Sequence, residues 1–265
     1  MRSIGRESAS EIPSPAGIQA GSGGIVITRL VSLLVLLLAL TACSSGGPSK
    51  RTQDAERIHR LSQTYAKKGA IYLSEGKFKI ALHDLNKAIE LNPKNAEAYG
   101  TLGVLYERLG KLAEAEKHYA KARKLAPENP IILNNYGRYL CGQGKFEEGL
   151  KILQRAASDP LYDSRWIALT NAGECAIKAG DLAKAEGFLR QALALNANYP
   201  PVLAAMAQLS FQKGRYLSAR AFIERYKAQA RLTEDLLRLA AKIETALGDS
   251  QAARAYQEQL QRISP

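Results

Sequence analysis

The stretch YGTLGVLYERLGKLAEAEKHYAKARKLAP, residues 99–127, decides the fold. On either side of Gly110, apolar and small residues recur every three or four positions, which marks two amphipathic helices meeting at a short turn. Tyr99, Leu102, Gly103 and Tyr106 share a face of the first helix, Ala115, Tyr119 and Ala122 share a face of the second, and Pro127 stops it. Working outward, equivalent glycines stand at Gly76, Gly144, Gly180, Gly214 and Gly248, so the series is spaced by 34, 34, 36, 34 and 34 residues. A glycine in each turn is expected to take the left-handed conformation that ends the first helix. A fixed period of this length marks one supersecondary unit repeated along the chain.

The pattern within each period fits the tetratricopeptide repeat: an aromatic or leucine, leucine-glycine, tyrosine, and later alanine, an aromatic or leucine, alanine and proline. The first unit carries Tyr65, Gly69, Tyr72, Ala81, Leu85, Ala88 and Pro93. The third carries Leu133, Tyr136, Gly137, Leu140, Leu153 and Ala156, with Gly149 where alanine is expected; the fourth carries Leu169, Ala172, Gly173, Ala185, Leu189 and Ala192. Two looser units follow, with Leu203, Ala207, Ala219 and Ile223, then Leu237, Ala241, Ala253 and Leu260. The small residues let the paired helices approach closely, and no unit can bury its apolar face alone. The expected fold is all-α: six helix-turn-helix units over residues 53–263, stacked into a right-handed superhelix whose concave surface is lined by the first helix of each pair.

That surface is the default binding site. By the repeat's concave register its floor is Gln63, Ala66, Ala70 and Leu73 in the first unit and Glu97, Gly100, Val104 and Glu107 in the second. Small and apolar side chains there leave room for an amphipathic helix or an extended peptide, with Asn134 and Arg138 of the third unit as polar fixing points. The alternative is that a preceding helix over 52–62 covers Ala66, Ala70 and Leu73, and that Asn134 caps or packs locally. The two additional residues between the third and fourth units fall in SDPLYDSRW, residues 158–166, which predicts a loop. Its Trp166 either packs beneath that loop or anchors a partner.

Ahead of the repeats, Arg29 precedes the apolar run LVSLLVLLLAL at 30–40, the layout of a secretory signal peptide. The run is far short of the roughly 20 apolar residues a spanning helix needs. Leu40-Thr41-Ala42-Cys43 resembles a bacterial lipobox, which implies acylation of the Cys43 thiol, cleavage on its amino side, and a mature protein beginning there. The following SSGGPS has linker composition. The organisation read from this is a signal peptide over 1–42, a lipidated cysteine and linker over 43–52, and the repeats thereafter. Residues 1–24 are long and polar for a signal peptide, so initiation is expected near Val26. Ser44 follows the cysteine, where the resemblance to Gram-negative lipoproteins implies delivery to the periplasmic face of the outer membrane.

Lysine and arginine exceed aspartate and glutamate by 12, while 46% of the 265 residues are hydrophobic and only 7% aromatic. The cations are dispersed over every helix and no aromatic-interleaved motif accompanies them, which argues for a solvated surface and against a nucleic-acid partner. His59, His83 and His118 are scattered, without HExxH or paired CxxC spacing, and read as surface residues; no metal is implied. Neither GxSxG nor a glycine-rich strand-to-helix loop is present, so no enzyme, small-molecule substrate or cofactor is expected beyond the covalent lipid. Cys141 and Cys175 lie 34 residues apart on first helices of consecutive units. They occupy different positions of their units, so the reading leaves open a disulfide or two buried thiols.

NNYGRYLCGQGKFEEGL at 134–150, DPLY at 159–162 and NAGECAIKAGDLAKAEGFLRQAL at 171–193 together resemble the type IV pilus biogenesis and stability lipoproteins of the PilW or PilF family. The likeness extends over roughly 50–260, and Gly149 and the amino-terminal extension depart from it. The resemblance implies a pilotin: an outer-membrane lipoprotein that binds the secretin subunit of the pilus machinery and promotes its localisation and multimerisation. A general scaffold for envelope or cell-wall enzymes would share the anchor and the groove, but not those motifs.

Overall fold

A computed structural model describes residues 50–263. The chain divides into two units, 1–55 and 56–265, of which the second holds the repeats. Cys43, the signal segment 1–42 and residues 43–49 of the expected linker lie outside the described residues.

The described residues form twelve helices: α1 (Lys50–Ser74), α2 (Phe78–Leu91), α3 (Ala96–Arg108), α4 (Leu112–Leu125), α5 (Pro130–Gly142), α6 (Phe146–Ser158), α7 (Arg165–Lys178), α8 (Leu182–Leu195), α9 (Pro200–Gln212), α10 (Tyr216–Lys227), α11 (Glu234–Leu247) and α12 (Ser250–Ile263). They pair in sequence as six helix-turn-helix units, with no strand among the described residues. The odd-numbered helices neighbour one another along the array, α3 against α5, α5 against α7, α7 against α9 and α9 against α11. This is the tetratricopeptide superhelix that the 34-residue period predicts.

The turns explain the period. All six turn glycines have φ between 68° and 82°, where a side chain would be strained. After Gly110, the Lys111 N–H returns 2.9 Å to the Tyr106 carbonyl, and Lys77, Lys145, Asp181, Arg215 and Asp249 close their turns in the same way. That bond satisfies a carbonyl the helix end would otherwise leave open. The next helix then starts on a defined signal: Asn95 accepts from the Ala98 N–H at 3.0 Å, Asn129 accepts from Ile131 and Ile132, and Pro130 and Pro200 occupy first-turn positions.

The core is an alternation of alanine and larger apolar side chains. Ala115, Ala122, Tyr119, Leu102 and Leu105 are all fully buried, and the same positions are filled by Ala185, Ala192 and Leu189 in the fourth unit. At Gly103 an added methyl would lie 2.7 Å from the Tyr119 ring, so this closeness of α3 and α4 requires glycine.

Two expectations are corrected. Helix α1 runs unbroken from Lys50 to Ser74, so there is no separate helix over 52–62, and residues 50–52 are helical rather than linker. After Pro48 no glycine or proline interrupts the sequence until Gly69, so nothing stops the helix. His118 is no ordinary surface residue: it is half-buried and stacks on Tyr106 at 5.1 Å and Tyr99 at 6.0 Å, and burial holds its imidazole below the usual value.

Candidate functional site

The groove expected at the amino-terminal end is largely closed. Ala66 and Leu73 are 3% and 5% exposed, packed in a cluster with Leu85, Ala98, Leu102 and Leu105. Gly100 is buried, and a methyl on it would come 3.5 Å from Ile132 of α5. These small residues are spent on helix contact rather than left on the open face. Only Ala70, exposed, and Val104, half-buried, remain on open surface among the apolar groove residues expected in units one and two.

Further along, the groove floor is a polar ladder. Arg138 forks onto Glu107 through bonds of 2.9 and 2.8 Å, and Glu107 also accepts from the Tyr119 hydroxyl at 2.9 Å. Asn134, 5% exposed, accepts from the Asn171 amide at 2.8 Å. Asn134 and Arg138 are thus not free fixing points for a partner; they tie units two, three and four together. The contacts run diagonally rather than between equivalent positions, Glu107 to Arg138 across 31 residues and Asn134 to Asn171 across 37, and they form because the first helices of neighbouring units lie side by side. Burial pushes the Tyr119 phenol well above its usual range, and the Glu107 charge adds to that.

The ladder ends at Glu174, which holds in unit four the place that Arg138 holds in unit three. Its carboxylate has no hydrogen bond or ion pair among the described residues, and burial holds it above the usual carboxylate value while Lys178 and Arg138 pull it down. Past it the surface opens into a cleft of 720 Å³ between α7, α9 and α11, floored by Ile177, Ala204, Gln208, Leu236 and Leu239. The cleft falls in the units with the loosest consensus; the concave register, extended to Pro201, Ala204 and Gln208, was the signal that could have found it.

Cys141 on α5 and Cys175 on α7 are joined by a disulfide with Cα atoms 5.5 Å apart. Both sulfurs are buried, with Leu153 and Ala172 beside them. The neighbouring Gly149 explains its departure from the repeat: a methyl there would meet the Cys141 Sγ at 2.5 Å and the Gly137 carbonyl at 2.9 Å. Trp166 is half-buried and packs on the cluster of Leu169, Leu189 and Met206, whereas Leu161 at the tip of the inserted loop is 88% exposed. Among the described residues no cluster of histidine, cysteine, aspartate and glutamate is arranged to hold a metal ion, and no helix is long and apolar enough to cross a membrane.

Family models for the tetratricopeptide repeat match residues 67–130, 108–172 and 176–243. The chain is 28% identical over 237 residues to the type IV pilus assembly protein PilF of Pseudomonas aeruginosa, covering 89% of this chain and 94% of that one. Among solved structures it resembles PilW, described as a widely conserved type IV pilus biogenesis factor, with TM-score 0.68 and 29% identity over 77% of this chain and 93% of that one. The structure of Pseudomonas aeruginosa PilF is similar at TM-score 0.67 and 29% identity, covering 78% of this chain and 94% of that one. These likenesses bear out the resemblance carried by the motifs of units three and four.

Proposed function

Because this chain belongs to the tetratricopeptide-repeat family, a scaffold that acts by holding other chains, we propose that it serves type IV pilus biogenesis as a lipid-anchored docking protein. The observation that carries this reading is the end-to-end likeness to PilF, which spans 89% of the chain rather than a few generic repeats. In this reading Cys43 bears the acyl chains that hold the protein on the periplasmic face of the outer membrane. Two or three chains make that anchoring stable, where one would bind only weakly. The concave face then holds a secretin subunit and promotes its delivery to the outer membrane and its multimerisation. The polar ladder of Glu107, Arg138, Asn134 and Asn171 keeps the curvature of that face fixed, so the partner meets a preformed surface.

Deleting the gene and scoring twitching motility and surface pili tests the reading. Loss of both, restored by the wild-type gene, is expected; normal pili and motility with altered cell-wall composition would transfer the role to a scaffold for envelope enzymes. Radiolabelled palmitate checks the anchor separately. Label is expected in the wild-type protein and not in Cys43→Ser, and equal labelling of both would remove Cys43 as the attachment point.

A further inference from the structure

The cleft over units four to six has three properties that together specify what it binds. The first is size: at about 720 Å³ the cleft has the volume of a pocket that encloses a compact ligand group, enough for several inserted side chains. The second is an apolar floor. Leu236 and Leu239 retain 8% and 7% exposure, and Ile177 and Ala204 are half-buried beside them, so inserted apolar side chains would complete a surface already largely removed from water.

The third is charge. The chain carries an excess of 12 cations, yet this cleft presents Glu174 on one wall and Asp235 on the other. Among the described residues neither carboxylate forms an ion pair. Arg138, the cation the repeat places next to Glu174, is already engaged at both ends of its guanidinium by Glu107. Lys178, one turn beyond Glu174, is exposed at the rim. A neutral or acidic ligand would bury Glu174 further with only the exposed Lys178 to offset it, whereas a cation on the ligand would pair with it in a setting where such pairs discriminate strongly.

We propose that this cleft docks a segment of the partner that lays apolar side chains over Ile177, Ala204, Leu236 and Leu239 and sets one lysine or arginine against Glu174. The identity of that partner as the secretin subunit rests on the function proposed above. The cleft lies at the opposite end of the array from the first-unit groove, and Ala204 and Glu174 are its two addressable points.

The test measures binding of the mature full-length protein, in detergent, to the intact secretin subunit and to overlapping synthetic peptides covering it, by fluorescence anisotropy. Glu174→Gln keeps the side-chain volume and removes a half-buried charge, so it preserves the fold; melting curves within a few degrees of wild type verify this for it and for Ala204→Trp, which fills the cleft. Ala204→Trp is expected to abolish binding of at least one peptide. Glu174→Gln and replacement of that peptide's basic residue by glutamine are each expected to weaken it about tenfold, and the two together no more than either alone. Equal binding of every peptide by wild type and both variants, or additive effects of the two charge changes, overturns the cleft proposal while secretin binding by the wild type leaves the function standing. Failure of the wild type to bind either the secretin or its peptides removes the secretin reading itself, and with it the occupant named here.

Discussion

Gly149 and Gly187 lie in second helices of consecutive units and are expected to respond to alanine with opposite signs. At Gly149 the new methyl would collide with the Cys141 Sγ and with backbone, neither of which can yield cheaply. Gly149→Ala is expected to cost about 1–3 kcal/mol in urea denaturation and to raise the free-thiol count. Nothing lies within 4 Å of a methyl at Gly187, and its helix is exposed there. Gly187→Ala is expected to stabilise by roughly 0.5–1 kcal/mol through helix propensity alone. Equal effects at the two sites would contradict the packing described around the disulfide.

Glu186 illustrates a different residue-scale constraint. Its carboxylate receives Lys213, Arg215 at 3.1 Å and Arg190 at 2.5 Å, and the Lys213 ammonium chiefly holds it down at about 2. A folded value below the unfolded one means the stabilisation is complete at neutral pH, declines as pH falls below about 4.5, and is gone once pH passes 2. Glu186→Gln is therefore expected to be less stable than wild type at pH 7, with the difference in melting temperature closing near pH 2. A difference independent of pH would show that the network adds nothing through charge.

At the scale of elements, the disulfide bridges α5 and α7 across the position where the repeat spacing stretches from 34 to 36 residues. It closes a loop long enough that reduction, or Cys141→Ser with Cys175→Ser, is expected to cost roughly 2–4 kcal/mol. Unfolding curves with and without reductant measure this, and coincident curves would contradict it. Helix ends and pairings were legible in the sequence because their causes are local and periodic: Gly110 must adopt positive φ, Pro127 must stop its helix, and Gly103 must admit Tyr119. Openness of the groove was not legible. Whether Ala66 leaves a gap depends on how closely α1 approaches α3, and whether Gly100 does on how closely α3 approaches α5, and those distances are set by residues on the facing helix, Leu102 and Ile132 among them. The same holds for charge: Arg138 pairs with Glu107 while Glu174 forms no ion pair among the described residues, a choice between two carboxylates that spacing cannot express.

At the scale of the whole molecule, the twelve helices of the described residues stack into a superhelix with a concave face, and in the proposed function Cys43 would be the point by which that face reaches the outer membrane. The family was legible from the period, and the pilus relationship from the motifs of units three and four, because both reside in contiguous sequence. A partner is recognised by a surface that no contiguous stretch encodes. In the proposed function this surface carries the secretin to its place. The measurement that tests it most directly is outer-membrane fractionation of wild-type and deletion cells, followed by an unheated gel blotted for the secretin. Secretin multimers are expected to vanish from the outer membrane in the deletion strain and return with the wild-type gene; multimers unchanged in amount and place would contradict the proposed function.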